Sequence, residues 1–284
     1  MQVAERQKPP PGELYLDHVA HFVPDLGAAA RLLESLGFTP TPESAHRAQG
    51  APAGTSNRCL MFEEGYVEIL APTLKTPNAE RVRAHMARYD GVHLACFGTP
   101  DAAFEHQRLA GQGFEPEPLV DLQRTVDGGE TVRFSVVYVP PGRMPEGRVQ
   151  YVQQLTPEVI WKDRFVEHAN GVTGLSAVYV AADEPAEAGA RWARFSGLLP
   201  RREGDLVCLQ AARGKVLIGK RTNLFANAPA APALAGYALS CRHPEAFVAR
   251  CSKLGLKVQG LSASGMAAGH AITLPPSLGG TWLV

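Results

Sequence analysis

Residues 16–38 read LDHVAHFVPDLGAAARLLESLGF, and residues 91–114 read GVHLACFGTPDAAFEHQRLAGQGF. Each starts as a short apolar strand with a histidine near its beginning, His18 or His93. Each passes through a Pro-Asp turn into an amphipathic helix and ends on Gly-Phe. Two such stretches are copies of one unit, and repeats organise a fold before any other feature does. A strand that offers His among aliphatics can contribute to a metal site, and two copies can offer two ligands to one ion.

Outward from this pair the units extend in parallel. After a polar, Ala/Pro-rich loop (Thr39 to Thr55), the first adds NRCLMF (57–62), a turn at Glu63-Glu64-Gly65 and YVEILAP (66–72). The second adds RFSVVYV (133–139), a Pro/Gly-rich turn and RVQYVQQLTP (148–157). A basic amphipathic helix, AERVRAHMARY (79–89), lies between them. Fainter copies start at GLSAVYVAADEPAEAGARWARFSGLL (174–199) and GYALSCRHPEAFVARCSKLGLKV (236–258). LVCLQAARGKVLIGK (206–220) and the terminal HAITLPP and GTWLV supply their further strands. The pattern predicts an α+β protein of four βαβββ units in two pairs. The expected divisions are a flexible tail (1–13), a first half (14–157), a linker (158–173) and a second half (174–284).

Bulk properties narrow the function. The chain has 284 residues, 45% hydrophobic and 20% charged, which is globular composition with ample core. Lys+Arg and Asp+Glu each number 28, so no basic footprint for nucleic acid is expected. No apolar run of about 18 residues predicts a membrane span. The charged, proline-rich start does not resemble an export signal, and five cysteines without a CxxC spacing fit reduced thiols, so a cytoplasmic location is expected.

Candidate site residues follow from strand alternation. His18, Ala20 and Phe22 share one face, as do Tyr66, Glu68 and Leu70. Glu68 sits where aliphatics would suffice, and a buried carboxylate needs a charged partner. Superposing His93 on His18, and VQQLTP on VEILAP, gives the equivalent set His18, Glu68, His93 and Gln153. His18, Glu68 and His93 are the expected metal ligands. Gln153, Tyr66, Tyr151, Asn57 and Arg58 are the expected substrate contacts, against the plain reading of packing and solvated polar residues. His21 alternates away from His18 and reads as buried support, and Cys96 reads as core. The corresponding places in the second half fall on Ser176 or Val178, Leu217, Gly236 or Ala238, and Trp282, so no metal site is expected there.

The paired βαβββ units, LDHVAHFVPDL, GTSNRCLMF, GYVEILAP, VQQLTPEVIW and HANGVTGL together resemble the vicinal oxygen chelate superfamily and its glyoxalase-like members. The resemblance implies two half-open β-barrels and one divalent metal (Fe, Mn, Zn, Co or Ni). It also implies a small-molecule substrate with adjacent oxygens, acted on by isomerase, lyase or ring-cleavage dioxygenase chemistry. A homodimer is the oligomer left open. Glyoxalase I carries a basic Glu where this alignment has Gln153, so lactoylglutathione lyase activity itself is not expected. The alternative within the same fold is a non-catalytic protein that binds or sequesters a small molecule.

Overall fold

A computed structural model describes residues 2–126, 128–261 and 269–284. Met1 of the expected tail and residues 262–268 of the expected second half therefore lie outside the described residues. Each of the four units is a strand, a helix and three further strands. The first is β1 (Tyr15–Phe22), α1 (Leu26–Ser35), β2 (Ser44–Ala48), β3 (Ala51–Met61) and β4 (Tyr66–Pro72). After α2 (Pro77–Met86) come β5 (Val92–Gly98), α3 (Ala102–Gly111), β6 (Val120–Thr125), β7 (Thr131–Val137) and β8 (Arg148–Gln154). A short helix, α4 (Asp163–Val166), precedes β9 (Val172–Ala181), α5 (Pro185–Ser196), β10 (Pro200–Glu203), β11 (Leu206–Gln210) and β12 (Lys215–Gly219). The last unit is β13 (Ala233–Cys241), α6 (Pro244–Lys253), β14 (Lys257–Leu261), β15 (Gly269–Thr273) and β16 (Thr281–Leu283).

Local chemistry explains the helix starts. The Asp25 and Asp101 carboxylates accept the backbone N–H groups of Ala28 and Phe104 at 2.9 and 3.0 Å. These bonds satisfy donors that the first helical turn leaves free. Helices α5 and α6 instead open on Pro185 and Pro244, whose missing N–H costs nothing there.

The first two units close into a barrel of order β1-β4-β3-β2-β6-β7-β8-β5, whereas the last two form an open sheet, β10-β11-β12-β9-β13-β16-β15-β14. The seam that closes the barrel is β2 against β6, with His46 opposite Arg124. The sequence reading placed β2 in a loop and passed over β6. Short, polar, alternating segments such as SAHRA and VDLQRT carry too little apolar signal to be read as strands, yet they alternate in burial once paired.

Besides Thr173 on β9, the first strand of every unit carries one residue with no Cα partner across the ladder: Asp17, His93, Ser176 and Ala235. Each lies eight residues before its helix N-cap, which is Asp25, Asp101, Glu184 or His243. This bulge is the fixed reference point of the repeat. An extra residue kinks the strand and re-aims the side chains beside it.

The amino-terminal segment, expected as a frayed tail, is docked. Gln7 is fully buried and its amide nitrogen donates to the Val3 and Glu63 carbonyls, both at 2.9 Å. The halves share one apolar core that includes Leu16, Phe97, Trp192 and Trp282. A buried polar chain also crosses between them. The His21 ring bonds the Leu278 carbonyl at 3.0 Å and the Tyr237 hydroxyl at 2.9 Å, and Trp282 Nε1 donates to that same hydroxyl. His168 joins Thr39 and Met61, and Asn170 joins Leu36, so the HANG segment ties the halves as well.

Two outcomes follow for stability. Tyr237→Phe leaves His21 Nε2 and Trp282 Nε1 unpaired in the interior and lowers the unfolding free energy by about 1–3 kcal/mol, read as a reduced urea midpoint. Burial also pushes His21 from its usual 6.5 down to about 4. The unfolded chain then takes up a proton that the folded chain refuses, so stability is full above about pH 6.5 and declines as pH falls toward about 4. A urea midpoint independent of pH over that window would contradict this.

Candidate functional site

The inside of the first barrel gathers a polar cluster from six strands. β1 supplies His18, β2 His46, β3 Thr55 and Asn57, β4 Tyr66 and Glu68, β6 Arg124, and β8 Arg148 and Gln150. Leu70, Leu94, Phe134 and Val136 belong to the apolar wall. The enclosed free space is about 50 Å³, room for only a few water-sized groups.

Asp17 and His18 are sequence neighbours, yet His18 Nδ1 lies 2.6 Å from Asp17 Oδ1. A regular strand sends neighbours to opposite faces, and the bulge at Asp17 lifts that restriction. Asp17 is completely buried and also accepts from Gln154 Nε2, 3.2 Å from each oxygen. Gly65, with φ +75°, makes the turn that lies over this bulge; a Cβ there would stand 2.6 Å from the Asp17 carbonyl. The Tyr66 ring stacks on His18 with centroids 4.3 Å apart. Nδ1 of His18 is thus committed to Asp17, and Nε2 is its free nitrogen.

Across the cavity Glu68 accepts from Asn57 Nδ2 at 2.6 Å and stands 3.6 Å from His46 Nε2. His46 Nδ1 bonds the Thr55 hydroxyl at 2.9 Å. Burial alone would raise the Glu68 pKa, but His46, His18, the Asn57 bond and Arg124 together hold it below its usual value. Burial, reinforced by Arg124 and Arg148, lowers His46 from 6.5 to about 4 against the pull of Glu68. At neutral pH the cluster therefore presents an ionised carboxylate beside a neutral imidazole. Two buried acceptors, Asn57 Oδ1 and Gln150 Oε1, have no hydrogen-bond partner among the described residues.

The structure brings His18, Glu68, Tyr66 and Asn57 into this cavity and leaves other expected residues outside it. His93 is the bulge residue of β5, so its structural equivalent is Asp17, and the equivalent of His18 is Leu94. Seven residues separate His18 from cap Asp25 and Leu94 from cap Asp101, whereas aligning the histidines shifts the count by one. A one-residue slip exchanges the faces of a strand. His93 is buried against Tyr89 and Phe22 with neither ring nitrogen bonded among the described residues, and burial takes it down to about 3.

The last strand of unit two needs a similar correction. Ala20 pairs with Glu68 and Cys96 with Gln150, so Gln150 occupies the place that the sequence alignment gave to Gln153. Pro72 and Pro157, used as the common anchor, are not equivalent. Gln153 instead serves the start of α3, accepting from Ala102 N at 3.1 Å and donating to the Pro100 carbonyl at 2.9 Å. Tyr151 faces the other half, stacks on Phe195 and donates to its carbonyl at 2.8 Å. Arg58 NH1 reaches the Thr41 carbonyl at 3.3 Å, outside the cavity lining. Sequence reading missed His46, Arg124, Arg148 and Gln150. The alternation of RVQYVQ was the available signal for the last two.

In the second half the four corresponding places hold Ala177, Leu217, Gly236 and Leu283. Its concave side is filled by the protein itself, with Leu224, Phe225 and Ala228 packed on Ala177, Leu217 and Leu283. Gly236 is required there, since a Cβ would stand 2.9 Å from the Phe225 ring and 2.4 Å from the Thr281 carbonyl.

Comparison with known proteins agrees with this architecture. The glyoxalase-like domain matches residues 16–196, and the chain belongs to that family, within the vicinal oxygen chelate superfamily. No curated protein matches the sequence significantly. Among solved structures, a hypothetical protein from Staphylococcus aureus aligns with TM-score 0.65 at 12% identity, covering 95% of this chain and 98% of the other. A variant of 4-hydroxymandelate synthase from Streptomyces coelicolor gives 0.59 at 15% identity, covering 95% and 92%. A Mn(II)-bound glyoxalase from Novosphingobium aromaticivorans gives 0.57 at 11%, covering 95% and 80%. Likeness at such identities bears on fold alone.

The cavity makes one prediction independent of any ligand. In NMR titrations of ring-labelled protein, His46 titrates near pH 4. A midpoint at its solution value of about 6.5 would show a hydrated, mobile ring instead.

Proposed function

We propose that the first-barrel cavity is the active site of a divalent-metal-dependent enzyme of the vicinal oxygen chelate type, acting on a small molecule with adjacent oxygens. The reaction class is isomerase/lyase or dioxygenase chemistry. The observation that carries this reading is the convergence of nitrogen and oxygen donors on one cavity: His18 with its Nδ1 anchored, the His46–Glu68 pair, and the Gln150 amide oxygen. Metal-bound histidines are characteristically oriented through their other nitrogen, as Asp17 orients His18. Two donors at ~2.0–2.2 Å from one ion stand roughly 3–3.6 Å apart at the usual coordination angles, and His46 Nε2 and Glu68 Oε1 are 3.6 Å apart. Among the described residues no three His, Cys, Asp or Glu side chains are already closed around one point. The set is collected and open, with an amide as its further donor.

On this reading His18, His46 and Glu68 hold the ion and Gln150 is its neutral neighbour, while His93 takes no part. A bound divalent ion supplies Lewis-acid chemistry toward adjacent substrate oxygens. The chain does the rest. Asp17 and Gln154 fix the His18 ring, and Asn57 fixes Glu68. Arg124 and Arg148 offer guanidinium donors to an anionic substrate oxygen, and the wall of Leu70, Leu94, Phe134 and Val136 excludes water. Leu94 in place of a ligand favours the second reading, a metal-free binder of a small anion on the same two arginines. No helix among the described residues is long and apolar enough to cross a membrane, and all five cysteines are free thiols, which supports placing the activity in the cytoplasm.

Elemental analysis after loading with Mn, Fe(II) or Zn tests the proposal. One ion per chain is expected. His18→Ala, His46→Ala and Glu68→Gln should each weaken binding by about tenfold or more, the range seen even for indirect supports of a metal site. His93→Ala should retain it. No ion in wild type leaves the metal-free binder. Because Gln150 cannot accept a proton, and a general base contributes about 10²–10⁴-fold, the hemithioacetal of methylglyoxal and glutathione should not be turned over at an enzymatic rate.

A further inference from the structure

A second cavity adjoins the first. It lies between α2 and the loop joining β7 to β8 and holds about 370 Å³ of free space against about 50 Å³ in the first. Its floor is apolar, with Val139, Pro140, Met144 and Val149. Its charged lining is Arg81, Arg88 and Arg148, of which Arg81 is paired with Glu117 at 2.9 Å; His85, lowered to about 4 by burial and the neighbouring arginines, is a neutral imidazole there. Two side chains, Tyr138 and Arg148, line both cavities. The Arg148 guanidinium lies 4.4 Å over the Tyr138 ring and donates to Asn78 Oδ1 at 3.1 Å, and Asn78 belongs to the first cavity. The unbonded His85 Nδ1 is buried close by.

The two volumes are informative together. A space of about 50 Å³ admits the reacting end of a molecule and little else. Small-molecule sites are mostly apolar, of about 300–1,000 Å³, with a few placed polar groups. The second cavity has that character and lacks chemistry of its own. We infer that the two form one site for an amphipathic anion, with a compact oxygen-bearing head beside His18 and Glu68 and an apolar tail in the second cavity. Arg148 sits at the junction, where the head carries its charge. This rests on the proposed function for where the head binds, but not on whether a metal is bound.

Calorimetric titration of purified protein, metal-loaded and chelator-treated, with pyruvate, α-ketooctanoate and the methyl ester of α-ketooctanoate tests the inference. Transfer of each methylene from water is favourable, so five more of them should tighten α-ketooctanoate over pyruvate by at least about tenfold. The uncharged ester should bind about tenfold or more weakly than the acid, since it forfeits a charge-assisted bond. Ala84 is exposed on α2 and lines only the second cavity. Ala84→Trp should remove the chain-length advantage and leave pyruvate binding unchanged. Equal affinity for both acids, or an Ala84→Trp effect shared equally by pyruvate, overturns the inference. Loss of the ion with the chain-length advantage intact overturns only the metal reading, and the wild-type comparison of the two acids decides the inference should the tryptophan perturb folding.

Discussion

The unpaired residue on the first strand of each unit is the constraint on which the rest depends. Set eight residues before the helix cap, it decides which side chains of the strand meet the concave face. In the first unit it also places two neighbouring side chains, Asp17 and His18, in mutual contact. A buried carboxylate is thereby stabilised and an imidazole is held in one orientation with one bond. In the second unit the same position carries His93 with two unbonded nitrogens and no acid beside it. In the second half it carries Ser176 and Ala235. One backbone device thus recurs four times, but only the first copy carries the chemistry of a site.

The halves share a plan and differ in what fills the concave face. Closure of the first barrel through β2 and β6 satisfies two edges that would otherwise be open, and places His46 and Arg124 face to face. The second sheet leaves β10 and β14 as edges, and Phe225 occupies the space beside Gly236 where the first barrel has His18. With an apolar interior, the second half acts as a buttress. It holds β1 through the His21–Tyr237–Trp282 chain and holds α3 through Arg108, which bonds the Phe195 carbonyl. Strand β1 is therefore fixed on one side by the second half and offers His18 on the other.

The parts of the fold legible in the sequence are those with strong local signals. The Pro-Asp turns and terminal Gly-Phe marked the first pair of units, and the strand, turn, amphipathic helix and glycine order marked the second, because each signal comes from neighbouring residues. The site depended on counting across a strand, where one residue changes every face. His93 resembles His18 by eye, but distance from the cap, not distance from the strand start, sets the equivalence. Gln150 was displaced by Gln153 for the same reason, since a shared proline was used as the anchor. His46 and Arg124 lay in segments whose strand character comes from pairing over about 80 residues of sequence, and no local pattern reports such a partner.

Charge balance links the site to its ligand. Asp17 and Glu68 bring two carboxylates to the cavity and its floor, and Arg124 and Arg148 bring two guanidiniums. The interior is then close to neutral with His46 uncharged. On the proposed reading a divalent ion adds two positive charges in a space of about 50 Å³ walled largely by aliphatics. Uncompensated charge there is expensive, whereas an incoming anion with two oxygens restores balance. The same arginines that would oppose a bare cation then favour the ternary arrangement of cation, anionic substrate and protein. On that reading metal affinity and substrate affinity would be coupled by the electrostatic term, each stronger in the presence of the other.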